Sequence, residues 1–280
     1  MNKTIFIDID GTLRNNKKEI TEETKKSIKM AKEKGFRIII CSGRARKYTE
    51  NISKECKASE IIIASNGSDV YDYKNQKSIF LNNISNEICM KLNKLSKEYG
   101  ITLYIDTENG QYTNNKKQES MNVEFYEDFE NLIIKSKVIH AHFGGNDFDK
   151  MKELFNEVKK IDNIKIGNDE IYCFKDSYFI FISSENSNKG HAIIELCKIL
   201  DIDLKETIAI GDDYNDIDMF KVAGYTVAME NAVQEIKEIA NEITVSNDEN
   251  GVAKFLNKIS ENCWEEIWKL QFCWWNSALN

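Results

Sequence analysis

Four short stretches of the 280-residue sequence gather side chains able to handle an anion or a hard metal ion. Asp8 and Asp10 flank Ile9 ahead of Gly11, Thr12 and Leu13. On an extended backbone residues i and i+2 face the same side, and two carboxylates so placed repel unless a cation or a proton relieves them. One aspartate at a strand end would serve as a cap or a turn; a pair asks for chemistry, and Gly11 lets the chain turn sharply after it. Ser42, Gly43 and Arg44 offer a hydroxyl, an unhindered backbone N–H and the approach to a helix, which together make an anion cradle, although Ser-Gly ahead of a helix is also ordinary capping. Lys189-Gly190 opens a later helix; taken alone, a lysine there is a solvated surface residue. Gly211-Asp212-Asp213-Tyr214-Asn215-Asp216 places three acids and an amide within five residues, and oxygen ligands of this kind suit Mg²⁺.

These stretches lie where β-rich runs give way to helical ones, the positions at which open α/β sheets bind ligands. Apolar runs at 4–7, 36–41 and 61–64 alternate with helical patterns at 21–34 and 45–56. Thr21 caps the first helix, Glu22 and Glu23 fill its first turn, and Gly35 ends it. The rhythm returns late, with helices expected at 191–200, 216–223 and 233–240 and strands at 207–210, 225–228 and 243–245. It predicts an α/β fold with a Rossmann-like, doubly wound parallel sheet. Between 82 and 183 the order differs: helices at 85–99 and 147–160, strands at 101–105, 138–143, 171–174 and 178–182, and an irregular polar stretch between. That suits an inserted α+β domain. The expected division is a discontinuous core, 1–82 with 184–262, an insert, 83–183, and a tryptophan-rich tail, 263–280.

Composition excludes some partners. A net charge of −8 and a pI near 5.2 argue against nucleic acid, whose binders cluster positive charge, while a few local Lys and Arg can still hold a small anion. Seven cysteines, an odd number without a CxxC pair, read as reduced cytosolic thiols rather than disulfides or a zinc site. The N-terminal apolar run is too short for a signal peptide and no later run could span a bilayer, so the expectation is a cytoplasmic protein with no membrane partner. All four tryptophans, Trp264, Trp268, Trp274 and Trp275, fall in the tail. A terminal helix docked on its own core is the expected use, with a homodimer contact as the alternative; Glu265 and Glu266 speak against a membrane-surface helix.

In their order, Asp8-Ile9-Asp10-Gly11-Thr12-Leu13, Ser42-Gly43-Arg44, Lys189-Gly190 and Gly211 to Asp216 resemble the four motifs of the haloacid dehalogenase superfamily. The insert resembles the type IIB (C2B) cap of the Cof-like sugar-phosphate phosphatases, a substrate-specificity domain. Asn66-Gly67, Ala228-Met229-Glu230-Asn231-Ala232 and Asn250-Gly251-Val252-Ala253 are secondary matches, and the likeness covers roughly residues 1–260. Two positions depart from the pattern: Arg14 stands where an apolar residue is common, and Glu230 where glycine is usual.

The resemblance implies a phosphatase acting on a small phosphorylated metabolite, a sugar phosphate or similar. Asp8 would be the nucleophile that becomes an aspartyl phosphate, and Asp10 the general acid and base. Ser42, Gly43, Arg44, Lys189 and Asn215 would hold the phosphoryl oxygens, with Lys189 also keeping Asp8 ionised. Mg²⁺ would sit on Asp8, the Asp10 backbone carbonyl and Asp212, with Asp216 as a direct or outer ligand. The second acid, Asp10, separates the chain from the dehalogenase branch, which lacks it, and from the transport ATPases, which carry threonine there. A phosphohexose mutase of the same cap type, or a sugar-phosphate-binding regulator without turnover, are the alternatives. His140 and His142 share a strand face, which lacks an evident third metal ligand.

Overall fold

The computed structural model describes residues 3–120 and 123–261. The expected tail, 263–280, and with it the docked helix or dimer contact, lies outside the described residues. The first strand, β1 (Thr4–Ile7), is fully buried because it lies inside a sheet: Ile5 pairs with Ile38 on one side and Ile208 on the other. Interior strands of parallel sheets are covered on both faces, which is why TIFI reads as an unbroken apolar run.

After β1 come α1 (Glu22–Glu33), β2 (Arg37–Cys41), α2 (Arg46–Glu55), β3 (Ile61–Ala64), β4 (Asp69–Asp72) and β5 (Lys77–Leu81). Thr21 caps α1 by accepting the Thr24 N–H, and Gly35, at φ +90°, follows its end. The second unit holds α3 (Asn86–Tyr99), β6 (Thr102–Thr107), β7 (Gln111–Thr113), β8 (Glu124–Phe125), α4 (Phe129–Lys135), β9 (Val138–Gly145), α5 (Phe148–Val158), β10 (Ile164–Ile166), β11 (Tyr172–Phe174) and β12 (Ser177–Ser184). The chain then returns through α6 (Lys189–Leu200), β13 (Thr207–Gly211), α7 (Ile217–Val222), β14 (Tyr225–Ala228), α8 (Gln234–Ile239), β15 (Glu242–Ile243) and α9 (Gly251–Glu261). Two compact units result, one ending at Ile79 and resuming at Asn188, the other spanning Phe80–Ser187. The cuts expected after 82 and before 184 lie three and four residues inside the second unit.

In the first unit the sheet order is β15-β14-β13-β1-β2-β3-β4-β5, parallel from β15 to β3 and antiparallel at β3–β4. Helix α1 packs on α9 and α6 on α7. Because β13, β1, β2 and β3 are adjacent and run the same way, their carboxyl ends deliver Asp212, Asp8, Ser42 and Asn66 to one edge.

The second unit pairs β10-β12-β9-β6-β7-β8, with β11 on β12; the pairs are antiparallel except β7–β8. Leu103, Ile105, Ala141, Phe143, Ile180 and Ile182 alternate onto the face that packs with α3, α4 and α5. On the other face the Tyr104 and His142 rings stack 4.6 Å apart at 7°.

Three expectations need correction. The stretch read as irregular, between 106 and 137, contains β7, β8 and α4; strands of three and two residues and a seven-residue helix are too short to show a period. The helix expected over 216–223 is α-helical over Ile217–Val222, after a tight 3₁₀ turn at Tyr214–Asp216. The last strand is Glu242–Ile243, not 243–245. Among the described residues Cys41, Cys56, Cys89, Cys173 and Cys197 are free thiols, and no helix is long and apolar enough to cross a membrane.

Candidate functional site

Lys189 is 0% exposed, contrary to the solvated role a lone lysine suggests. Its Nζ lies 2.6 Å from Asp8 Oδ1 and 2.5 Å from Asp216 Oδ1. The local backbone explains how a lysine reaches that depth. A Cβ on Gly190 would stand 2.2 Å from the Asp218 carbonyl oxygen, so only glycine lets α6 press its first turn against α7. Gly67, at φ +90°, is held as tightly against the Asn188 carbonyl, and Asn188 caps α6 by accepting the His191 N–H at 2.7 Å.

The acid loop after β13 is fixed by its own hydrogen bonds. Asp216 Oδ2 accepts the N–H groups of Asp212 (2.9 Å) and Asp213 (3.2 Å), closing a capping box with Asp213. Both Asp216 oxygens are therefore engaged by donors of the protein. Asp212 Oδ1 accepts from the Thr12 hydroxyl at 2.6 Å, and a Cβ on Gly11, at φ +86°, would lie 2.1 Å from Asp212 Oδ2. Gly11 followed by Thr12 is thus what allows the β1 and β13 loops to interlock. Thr12 was visible in the motif, but its role as a clamp on Asp212 carried no sequence signal.

Oxygens of Asp8, Asp212 and Asp216 lie within 4.8 Å of one another. Burial pushes the Asp8 carboxyl up to about 8; Lys189 opposes this, and Asp216 and Asp212 reinforce it. Burial likewise raises Asp212 to about 7 against the Thr12 hydrogen bond. Burial disfavours the charge on Lys189, but Asp216 and Asp8 outweigh it and hold the ammonium protonated. Two buried carboxylates and the half-buried Asp212 around one ammonium are short of positive charge without a second cation. An all-carboxylate donor set with a deficit of positive charge fits a hard divalent ion.

Asp10 sits in the opposite field. Burial raises its carboxyl, but the Arg44 hydrogen bond at 2.8 Å and the nearby charges of Arg44 and Lys18 more than offset it and bring it below the usual carboxylate range. Lys18 Nζ is 3.6 Å from Asp10 Oδ1. Lys18, in a polar loop without periodicity, was not among the expected site residues.

Ser42 is buried, and its Oγ accepts the Arg44 N–H at 3.1 Å. A Cβ on Gly43 would meet Asn66 Oδ1 at 2.8 Å, and that same oxygen accepts from Asn215 Nδ2 at 3.0 Å. Asn66 holds a left-handed backbone, φ 52°, which asparagine tolerates better than most residues. Ser42, Gly43, Asn66 and Asn215 thus meet, while Lys189 faces Asp8 and Arg44 faces Asp10. Helix α2 begins only at Arg46, and its cap residue, Ala45, offers no side-chain bond.

Residues 5–256 match the haloacid dehalogenase-like hydrolase family. The chain belongs to that family. The hydrolase is 30% identical over 252 residues to the 5-amino-6-(5-phospho-D-ribitylamino)uracil phosphatase YcsE of Bacillus subtilis, covering 90% of this chain and 93% of that one. A crystal structure of a Thermotoga maritima protein is similar at a TM-score of 0.79 and 26% identity, covering 94% of this chain and 100% of the other. A sugar phosphatase described as subclass IIB shares the fold at a TM-score of 0.68 and 22% identity, covering 92% and 99%. The hydrolase is a phosphatase with this subclass's architecture.

Proposed function

We propose that the phosphatase cleaves a small phosphorylated metabolite, a sugar phosphate or similar ester, by Mg²⁺-dependent transfer of the phosphoryl group to Asp8. The observation that carries this reading is the buried Lys189 joined to Asp8 and Asp216 beside Asp212. Lys189 engages Asp8 Oδ1, which leaves Oδ2 for in-line attack on phosphorus; the P–O bond to the alcohol breaks as the aspartyl phosphate forms. Asp10 donates the proton to the leaving oxygen and then takes one from the water that hydrolyses the acyl phosphate. To donate, Asp10 must first gain a proton, so its contacts with Arg44 and Lys18 loosen in the working complex.

Ser42, the Gly43 N–H and Asn215 hold the phosphoryl oxygens, with Asn66 fixing the Asn215 amide. Asp8, the Asp10 backbone carbonyl and Asp212 would hold Mg²⁺, which supplies charge neutralisation for the transferring group. Asp216, with both oxygens already engaged, orients Lys189 and the loop. The second unit, which contains none of these residues, is the specificity domain. YcsE, by its name, acts on a ribityl phosphate carrying a pyrimidine, and this supports a polyol or sugar ester as the substrate class here.

The test is phosphate release from p-nitrophenyl phosphate and a panel of phosphorylated metabolites, with and without exhaustive chelation. Steady Mg²⁺-dependent release supports the reading; slow release with rapid exchange between phosphohexose isomers would make the enzyme a mutase. Binding without either would make it a regulator.

A further inference from the structure

Beside Asp10 lies a knot of positive charge that catalysis uses only in part. Arg14 donates from Nη1 to the Tyr48 hydroxyl, and its guanidinium stands 5.9 Å from the centroid of the Tyr48 ring. The Arg44 guanidinium lies 5.4 Å from the same centroid while its Nε holds Asp10. Lys18 approaches the other Asp10 oxygen. Two cations therefore share one carboxylate and a third lies against the same Tyr48 ring, in a chain whose net charge is −8.

Arg14 is the member without an evident task. Its side-chain contacts are with Tyr48, no carboxylate pairs with it among the described residues, and its Nε is shut from solvent with no hydrogen-bond partner. Its backbone is anchored: the N–H donates to the Ile9 carbonyl at 3.0 Å, and the carbonyl accepts from Asn247 Nδ2 at 2.9 Å. A guanidinium held against a ring and fixed at its base is pre-organised to receive an oxyanion at Nη2, the nitrogen that neither the Tyr48 bond nor burial takes up.

We propose that Arg14, together with Arg44 and Lys18, binds a second anionic group of the substrate, a carboxylate or a phosphate carried in addition to the ester being cleaved. This rests on the phosphatase reading and narrows its substrate class to doubly anionic esters. Tyr48 is the positioning residue, bonded to one guanidinium and facing both.

Matched ligands test it as inhibitors of p-nitrophenyl phosphate hydrolysis. The pairs are glucose 6-phosphate with 6-phosphogluconate, which adds a carboxylate, and fructose 6-phosphate with fructose 1,6-bisphosphate, which adds a phosphate. In the wild type the doubly anionic member of at least one pair should inhibit about tenfold more tightly, and Arg14→Leu should erase most of that ratio. Arg14→Lys, which keeps the charge and loses the guanidinium, should give an intermediate ratio and guards against a leucine variant that folds poorly. The pair that shows the preference tells carboxylate from phosphate. Equal inhibition within both pairs, or an Arg14→Leu change that weakens both members alike, overturns the proposal while leaving the phosphatase intact. Failure of the wild type to release phosphate from p-nitrophenyl phosphate removes the underlying reading instead.

Discussion

The two acids of the first motif stand two residues apart in opposite surroundings. Around Asp8 the site is buried and acidic: Asp212 and Asp216 crowd it, and one lysine bridges Asp8 and Asp216. Around Asp10 it is partly open and basic, with Arg44 and Lys18 on one carboxylate and Arg14 nearby. The chain thus holds one carboxyl above its ordinary range and the other below it, using the depth of a strand end and the company at its rim. A group short of positive charge invites a metal, and a group with a surplus invites an anion.

Four measurements press on that contrast, the largest effect first. Asp8→Asn should lower phosphate release by about 10⁴-fold or more and abolish any phosphoenzyme, since an amide is a poor nucleophile. Appreciable turnover in a clean preparation would move the nucleophile elsewhere. Asp10→Asn should cost ~10²- to 10⁴-fold with alkyl esters but less with aryl or acyl phosphates, whose leaving groups need little protonation. With those substrates it should accumulate a labelled aspartyl phosphate, detectable by acid quench. A loss spread evenly over leaving groups would deny Asp10 its acid role.

Lys189→Met should remove about 3–5 kcal/mol of stability, measured by urea unfolding at neutral pH, because it strands Asp8 and Asp216 in the interior without their cation. By contrast Lys18→Met, at the exposed rim, should change stability by less than about 1 kcal/mol. The smallest effect is a pH dependence. With Asp212 near 7 and Asp8 near 8 in the metal-free protein, Mg²⁺ must displace protons below those values, so its affinity should rise with pH through 6 to 8 and then level off. The same raised carboxyls bind protons in the folded state that unfolded aspartates, near 3.8, have already lost. The metal-free protein should therefore lose thermal stability as pH rises through that window, and Mg²⁺ should restore it. A calorimetric titration that released no protons at pH 6.5 would break this link.

Much of this was legible before any coordinates. TIFI, the alternating helices and strands, and the acids at strand ends depend on local pattern, and each element they announced is present within a few residues. What escaped depends on partners far along the chain. Lys189 looks like any surface lysine until Asp8, 181 positions away, is placed beside it. Thr12 and Asp212 are 200 positions apart, and no periodicity joins a hydroxyl to the acid it clamps. The Asn66–Asn215 bond likewise crosses between two loops. The stretch from 106 to 137 hid its elements because each was too short to repeat a pattern, and Arg14 registered only as a departure from the family.

The place of β1 in the sheet also bears on how the protein is made. Strand β1 is an interior one, and during synthesis its neighbour β2 follows soon after it but β13 only after about 200 further residues. Until then one side of β1 is an open edge, its N–H and C=O groups unpaired and its apolar side chains partly uncovered, the situation in which nascent chains attract chaperones or stray strands. Translation that halts before Lys189 yields a chain holding the Asp8 and Asp10 pair without the ammonium or the acid loop that surround it in the finished fold.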